Sequence, residues 1–205
     1  MKFSQPTFLH LFFLRFFIRS LTVVVVFFAS LHLNTYQASG QNTGSLNFKT
    51  VGIVEFSQSD TNDVFRIEAY LNSIKTLKSR FLQVTSAGDY SEGTLSLSKP
   101  GKMRLEYDHP NPALLVADGS YLAYFDRELE QVSYFDLQST QAAILLNNKI
   151  SFSSGKIAIT AFERGPNVFR LTLIKGNNPN GGSMMMIFSD KPLRLKKWTI
   201  TDAQG

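Results

Sequence analysis

Residues 93–107 read GTLSLSKPGKMRLEY, and this stretch decides the fold. Leu95 and Leu97 alternate with Thr94, Ser96 and Ser98; Met103, Leu105 and Tyr107 alternate with Lys102, Arg104 and Glu106. A period of two puts each apolar set on one face of an extended strand. Lys99-Pro100-Gly101 lies between them. Proline presets φ and glycine tolerates the reverse bend, so the segment predicts a hairpin with one apolar face.

The same pattern continues downstream. Pro110 and Pro112 break the chain, then Ala113–Val116, Tyr121–Phe125 and Gln131–Phe135 read as strands, with turns at Asp118-Gly119 and Asp126-Arg127-Glu128. A short helix is expected over Thr140–Asn147, capped by Thr140. Alternation then resumes at Ile157, Ile159 and Ala161, at Phe169, Leu171 and Leu173, and at Met184, Met186 and Phe188. The last strand, Leu193–Thr201, carries the single tryptophan, Trp198. Upstream of the hairpin, Phe81–Thr85 is strand-like. Before it, Val64, Ile67, Leu71, Ile74 and Leu77 recur at helical spacing, with Asp60 or Thr61 as the cap and Arg66, Glu68, Asn72, Lys75 and Lys78 on the polar face. Few helices and many short strands with tight turns predict a mainly β (α+β) meander, curled or closed, not a parallel α/β sheet.

The chain has 205 residues, 43% of them hydrophobic, enough for one folded domain. Residues 1–40 read as an export signal. Lys2, Arg15 and Arg19 precede the apolar run Leu21–Phe28, and Ala38-Ser39-Gly40 offers small residues for cleavage. A membrane anchor is the competing reading, but the apolar part spans ~12 residues against the ~20 a spanning helix needs. Residues 41–59 read as a linker, and 60–205 as the folded domain. Its end, Thr201–Gly205, looks like half a hairpin, so truncation is expected there. Removing the three leader cations from 21 basic residues leaves 18 against 16 acidic ones, too even a balance to imply nucleic acid. There is no cysteine, and His109 is the one histidine beyond the leader. Disulfides, a thiol nucleophile and a multi-histidine metal site are thereby excluded. Neither metal nor cofactor is expected.

Five local patterns occur in order: Leu77-Lys78 leading to Phe81-x-Gln83; Gly93-x-Leu95-x-Leu97 before Lys99-Pro100-Gly101-Lys102-Met103-Arg104; Tyr107 and Pro110, then Val116-x-Asp118-Gly119 and Tyr121-Leu122-x-Tyr124; Leu129-Glu130-Gln131-Val132; and Thr140-x-Ala142-x-x-Leu145-Leu146. In this order the chain resembles the outer-membrane lipoprotein carrier (LolA) family over roughly residues 61–205. The resemblance implies a half-open curled antiparallel β-barrel covered by an N-terminal helix and a short internal helix. It also implies a monomeric periplasmic carrier of acylated lipoproteins, not an enzyme. The implied partners are an inner-membrane lipoprotein-release transporter and an outer-membrane lipoprotein receptor. Three positions depart from the family pattern. Lys99 stands where an Arg that ties the helical lid is usual, Met103 where an aromatic is frequent, and Gln141 where a Pro is frequent.

Under this resemblance Leu95, Leu97, Met103, Leu105, Tyr124, Met184, Met186 and Phe188 line an acyl cavity, unbranched thioethers giving it an adaptable wall. The same alternation also fits an ordinary filled core. Under the resemblance Lys99, Ile144, Leu145 and Leu146 are expected in the lid; by itself Lys99 reads first as a solvated strand-end lysine, and Ile144, Leu145 and Leu146 read equally as an ordinary helix face. Met184→Glu is expected to weaken capture without unfolding the domain. Two other functions compete: a related periplasmic lipid-binding or envelope-sensing domain, and an envelope hydrolase using acids such as Asp126 or Glu128.

Overall fold

The computed structural model describes residues 23–28 and 56–203. Most of the proposed leader and linker, and the last two residues, lie outside them. The exceptions are β1, Val23–Phe28, which belongs to the apolar run read above as the signal's core, and residues 56–59 of the proposed linker, which lead into and begin the first helix.

Among the described residues, eleven strands form one antiparallel sheet in the order β7-β6-β5-β4-β3-β2-β1-β11-β10-β9-β8. The first arm is a meander: β2 (Thr76–Val84), β3 (Tyr90–Ser98), β4 (Lys102–Tyr107), β5 (Ala113–Asp118), β6 (Tyr121–Asp126) and β7 (Gln131–Asp136). A 3-10 turn, Leu137–Ser139, and helix α2, Ala142–Leu146, follow it. The second arm is β8 (Ile157–Gly165), β9 (Val168–Lys175), β10 (Ser183–Ser189) and β11 (Arg194–Thr201). The backbone of β1 pairs with β2 on one side and β11 on the other. The outer edges, β7 and β8, do not pair, so the sheet curls without closing into a barrel. The expected mainly β class holds. No helix among the described residues is long and apolar enough to cross a membrane.

Helix α1, Gln58–Ser73, is displaced from its sequence reading at both ends. Ser57 caps its start, not Asp60 or Thr61: the Ser57 hydroxyl accepts from the Asp60 N–H while the Asp60 carboxylate accepts from the Ser57 N–H. This reciprocal pair satisfies two otherwise orphaned donors. At the other end Ile74 is extended, and Leu77, expected in the helix, lies in β2 opposite Leu97. Ile74 and Leu77 suit helical and extended spacing alike; pairing with β3 settles the choice.

Smaller corrections concern α2 and β8. Thr140 does not cap α2. Gln141 occupies that position without a side-chain cap, and the Thr140 hydroxyl donates to the Leu137 carbonyl. In β8 a register shift between Ile159 and Ala161 opposes Phe162, not Ala161, to Leu171. Phe162 thereby stacks on Phe169 at 5.8 Å.

Gly93 explains one sequence pattern physically. It is paired with Phe81 on one side and Tyr107 on the other. A Cβ at this position would lie 2.2 Å from the Glu106 carbonyl oxygen and 2.6 Å from the Phe81 ring. Absence of a side chain lets Phe81 and Tyr107 meet edge-to-face at 5.2 Å over the gap. The Tyr107 hydroxyl then donates to Gln83 Oε1, and burial raises its pKa above the usual phenol value.

Candidate functional site

The concave face is built from cross-strand rows. In the first arm, Leu97, Met103, Ala117, Leu122 and Phe135 follow one another across β3–β7, and Leu95, Leu105, Leu115, Tyr124 and Ser133 form the next row. In the second arm, Ile159, Leu173, Met184 and Ile200 form one row, and Phe162, Leu171, Met186 and Trp198 another. Burial is graded along these rows. Leu95, Leu97, Leu105, Met184, Met186 and Phe188 are buried, whereas Met103 and Tyr124, towards the β7 edge, are half-buried. Six of the eight expected lining residues thus sit in the packed interior of this conformation. The other two lie where its cover thins.

Two helices provide that cover. Helix α1 crosses the concave face: Tyr70 meets Phe188 edge-to-face at 6.1 Å, and its hydroxyl accepts from the Leu195 N–H. Near its start, buried Asp63 pairs with Arg66 at 2.6 Å and with Arg164 of β8 at 2.5 Å. Arg66 also reaches Asp190, beyond β10, at 2.9 Å. Helix α2 is apolar throughout, with Ala143, Ile144, Leu145 and Leu146 all buried in the shared core. The expected lid residues Ile144, Leu145 and Leu146 thus join the same buried core as the inward rows of the strands.

The turn Lys99-Pro100-Gly101 ties both helices to the first arm. The Lys99 ammonium donates to the Leu71 carbonyl in the last turn of α1 at 2.9 Å, and the Lys99 N–H donates to Lys75 O at 2.8 Å. A cation there is also favoured by the negative end of the helix dipole. Two residues on, the Gly101 N–H donates to Leu146 O at the end of α2 at 2.9 Å. Gly101 has φ 74°, and a Cβ on it would lie 2.6 Å from Gly119 Cα, so only glycine fits this junction.

Burial, with Lys75 nearby, lowers the Lys99 pKa to about 8. The unfolded chain therefore holds this proton more tightly than the fold, and the contribution to stability grows as pH rises from about 8 towards the unfolded value near 10.5. Thermal midpoints at pH 7.0 and 9.5 check this. The wild-type chain should show a more favourable change over the interval than Lys99→Met; equal changes would remove Lys99 as the source.

Several polar contacts of the cover escaped the sequence reading. Glu68 and Asn72, on the polar face of α1, do not simply face solvent. Asn72 exchanges two hydrogen bonds with the Ile150 backbone, both 2.8 Å, and Glu68 accepts from the Phe152 N–H at 2.7 Å. They pin the segment after α2 onto α1. Lys175 on the second arm and Gln141 at the start of α2 are both buried, and each bridges lid and arm: Lys175 to the Gln138 carbonyl, Gln141 to the Gly181 carbonyl. Lys175 continues the inward parity of Phe169, Leu171 and Leu173, a charge where alternation calls for an apolar residue, and that break was the available signal. A cavity of about 360 Å³ opens at the rim between Pro100, Lys102, Asp118, Gln138, Leu146 and Asn147.

Of the acids weighed for catalysis, Asp126 serves the backbone. Asp126 Oδ1 accepts from the Glu128 and Leu129 N–H groups at 2.9 and 3.0 Å, closing the β6–β7 turn. Among the described residues no group of three His, Cys, Asp or Glu is placed to hold a metal ion.

Comparison with known proteins gives a consistent result. The family model described as "Outer membrane lipoprotein carrier protein LolA" matches residues 72–205, opening in the last turn of α1. The chain is 38% identical over 122 residues to the outer-membrane lipoprotein carrier protein of Pseudomonas aeruginosa (strain UCBPP-PA14), covering 56% of this chain and 58% of that one. Its counterpart in Pseudomonas syringae pv. syringae is 34% identical over 117 residues, 53% and 56% of the two chains. The Chromobacterium violaceum protein of the same name is 38% identical over 92 residues, 42% and 45% of the two chains. The chain thus spans at most about 58% of the length of these curated relatives.

Proposed function

Because the chain belongs to the LolA family of outer membrane lipoprotein carrier proteins, we propose that it carries acylated lipoproteins against the concave face of its sheet, in a space that forms when α2 and the 3-10 turn lift away. The supporting observation is the lid itself. A five-residue helix, apolar throughout, is held to the first arm by the Lys99–Gly101 turn and covers aliphatic and thioether side chains. Each methylene moved from water to that face contributes ~0.8 kcal/mol. An acyl chain can therefore replace α2 side chains as the occupant without ATP acting at this protein.

In this reading the chain works in the periplasm. An inner-membrane release transporter supplies the cargo and an outer-membrane receptor accepts it. Export cleavage near residue 40 would remove β1 and leave the two arms without its backbone pairing, so the export signal and the strand make opposed demands on Val23–Phe28. The N-terminal sequence of the chain recovered from the periplasm decides between them.

The carrier reading is tested by incubating the purified chain and ATP with inner-membrane vesicles that contain the release transporter and a radiolabelled triacylated lipoprotein. A soluble one-to-one complex that passes its lipoprotein to acceptor vesicles is the expected result. Failure to release any labelled protein into the soluble fraction would overturn it.

A further inference from the structure

We propose that Lys175 is a ligand-binding residue: a cation at the rim of the concave face that exchanges a lid carbonyl for the ester or amide carbonyls of an acylated head group. The proposal rests on the carrier reading and names the part of the cargo that the second arm recognises.

Lys175 ends β9 on the same face as Phe169, Leu171 and Leu173, opposite Ile157. It is only 8% exposed, and its ammonium donates to the Gln138 carbonyl of the 3-10 turn. An ammonium carries three donors, and this carbonyl is its one hydrogen-bond acceptor among the described residues. Asp136 attracts it, but Asp136 Oδ1 already accepts from the Gln138 and Ser139 N–H groups as the cap of that turn. Burial holds the Lys175 pKa below the usual lysine value, with Asp136 pulling the other way. A buried ammonium served by one neutral carbonyl is poorly compensated.

A second polar group marks the same junction. Gln141, 5% exposed, donates through Nε2 to the Gly181 carbonyl at 2.7 Å, in the loop that follows Lys175. Its Oε1 is buried without a hydrogen-bond partner among the described residues. One short seam between the lid and the second arm therefore holds an undersatisfied cation and an unpaired acceptor. When the lid lifts, Lys175 loses Gln138 and faces the space the acyl chains would occupy. Ester and amide carbonyls at the head of those chains supply the acceptors it lacks, and a head-group N–H or O–H suits Gln141 Oε1. Lys99 occupies the matching position on the first arm, the next inward-parity residue after Leu95 and Leu97, and holds a helix-end carbonyl, Leu71 O of α1.

The test compares two probes differing only at the carbonyl: 1-oleoylglycerol, an ester, and 1-O-oleylglycerol, its ether counterpart. Both are titrated against the full chain, with Trp198 on the concave face as the fluorescent reporter. The wild-type chain should bind the ester about tenfold more tightly, as expected for charge-assisted hydrogen bonds. Lys175→Met should bring that ratio to about one. Equal wild-type affinities, or a preference that survives in Lys175→Met, would overturn the role of Lys175 and leave the carrier reading standing. Binding of neither probe overturns both. Should Lys175→Met fail to fold, the wild-type ratio alone decides.

Discussion

Gly93→Val is expected to destabilise the domain by at least ~3 kcal/mol, the upper part of the range for overpacked cores. Two obstacles act together. The new Cβ meets the Glu106 carbonyl at 2.2 Å, which is backbone and cannot rotate away, and the Phe81 ring at 2.6 Å. Relief requires parting β3 from β4 or expelling Phe81 from its place against Tyr107. The first course breaks the hairpin read first in the sequence; the second empties a core position on β2. The natural control is Ser96→Val, three residues on and of opposite parity, paired with Lys78 and Arg104. That change should stay within ~0.5 kcal/mol, as surface substitutions usually do. Urea denaturation followed by Trp198 emission compares them; similar midpoints would refute the steric account of Gly93.

Met186→Glu should be at least as severe, for an electrostatic reason. Met186 is 0% exposed and sits between Leu171 and Trp198, so a carboxylate there has neither water nor a cation. Uncompensated buried charge costs roughly 3–5 kcal/mol, a large share of the ~5–15 kcal/mol that holds a typical domain together. Met184, 1% exposed in the adjacent row, shares this environment. Met184→Glu is therefore expected to unfold the domain, contrary to the sequence-based expectation of a folded but weakened carrier. The functional variant belongs at Met103, half-buried on the first arm. Met103→Glu can direct its carboxylate to water, so the thermal midpoint should stay near wild type while lipoprotein capture falls at least tenfold. A folded Met186→Glu with normal capture, or a folded Met103→Glu with normal capture, would show that the concave face does not handle cargo.

The two thioether positions show how far sequence pattern reaches. Alternation placed Met103 and Met186 on the inward side of their strands, and both are there. It could not distinguish their exposure, because that depends on α1 and α2, which are distant in sequence. The lid shows the same division. Ile144, Leu145 and Leu146 were visible as an apolar patch, but the carbonyls that Lys99 and Lys175 hold belong to residues 28 and 37 positions away. Ion pairs spanning far longer separations, such as Arg164 with Asp60 at 104 positions, carry no local signature either.

From its residue order alone this chain determined most strands of the two arms, with β1 and the start of β2 excepted, along with their inward parity as far as the β8 register shift, the hairpin turns and membership of an antiparallel class. Each of these rests on interactions within a few residues: two-residue side-chain alternation and the φ preferences of proline and glycine. Only the folded arrangement decided where α1 ends, which apolar residues lie packed beneath the helices, and which carbonyls receive the rim lysines. Those outcomes depend on the free energy of contacts between distant segments, which pattern along the chain does not encode.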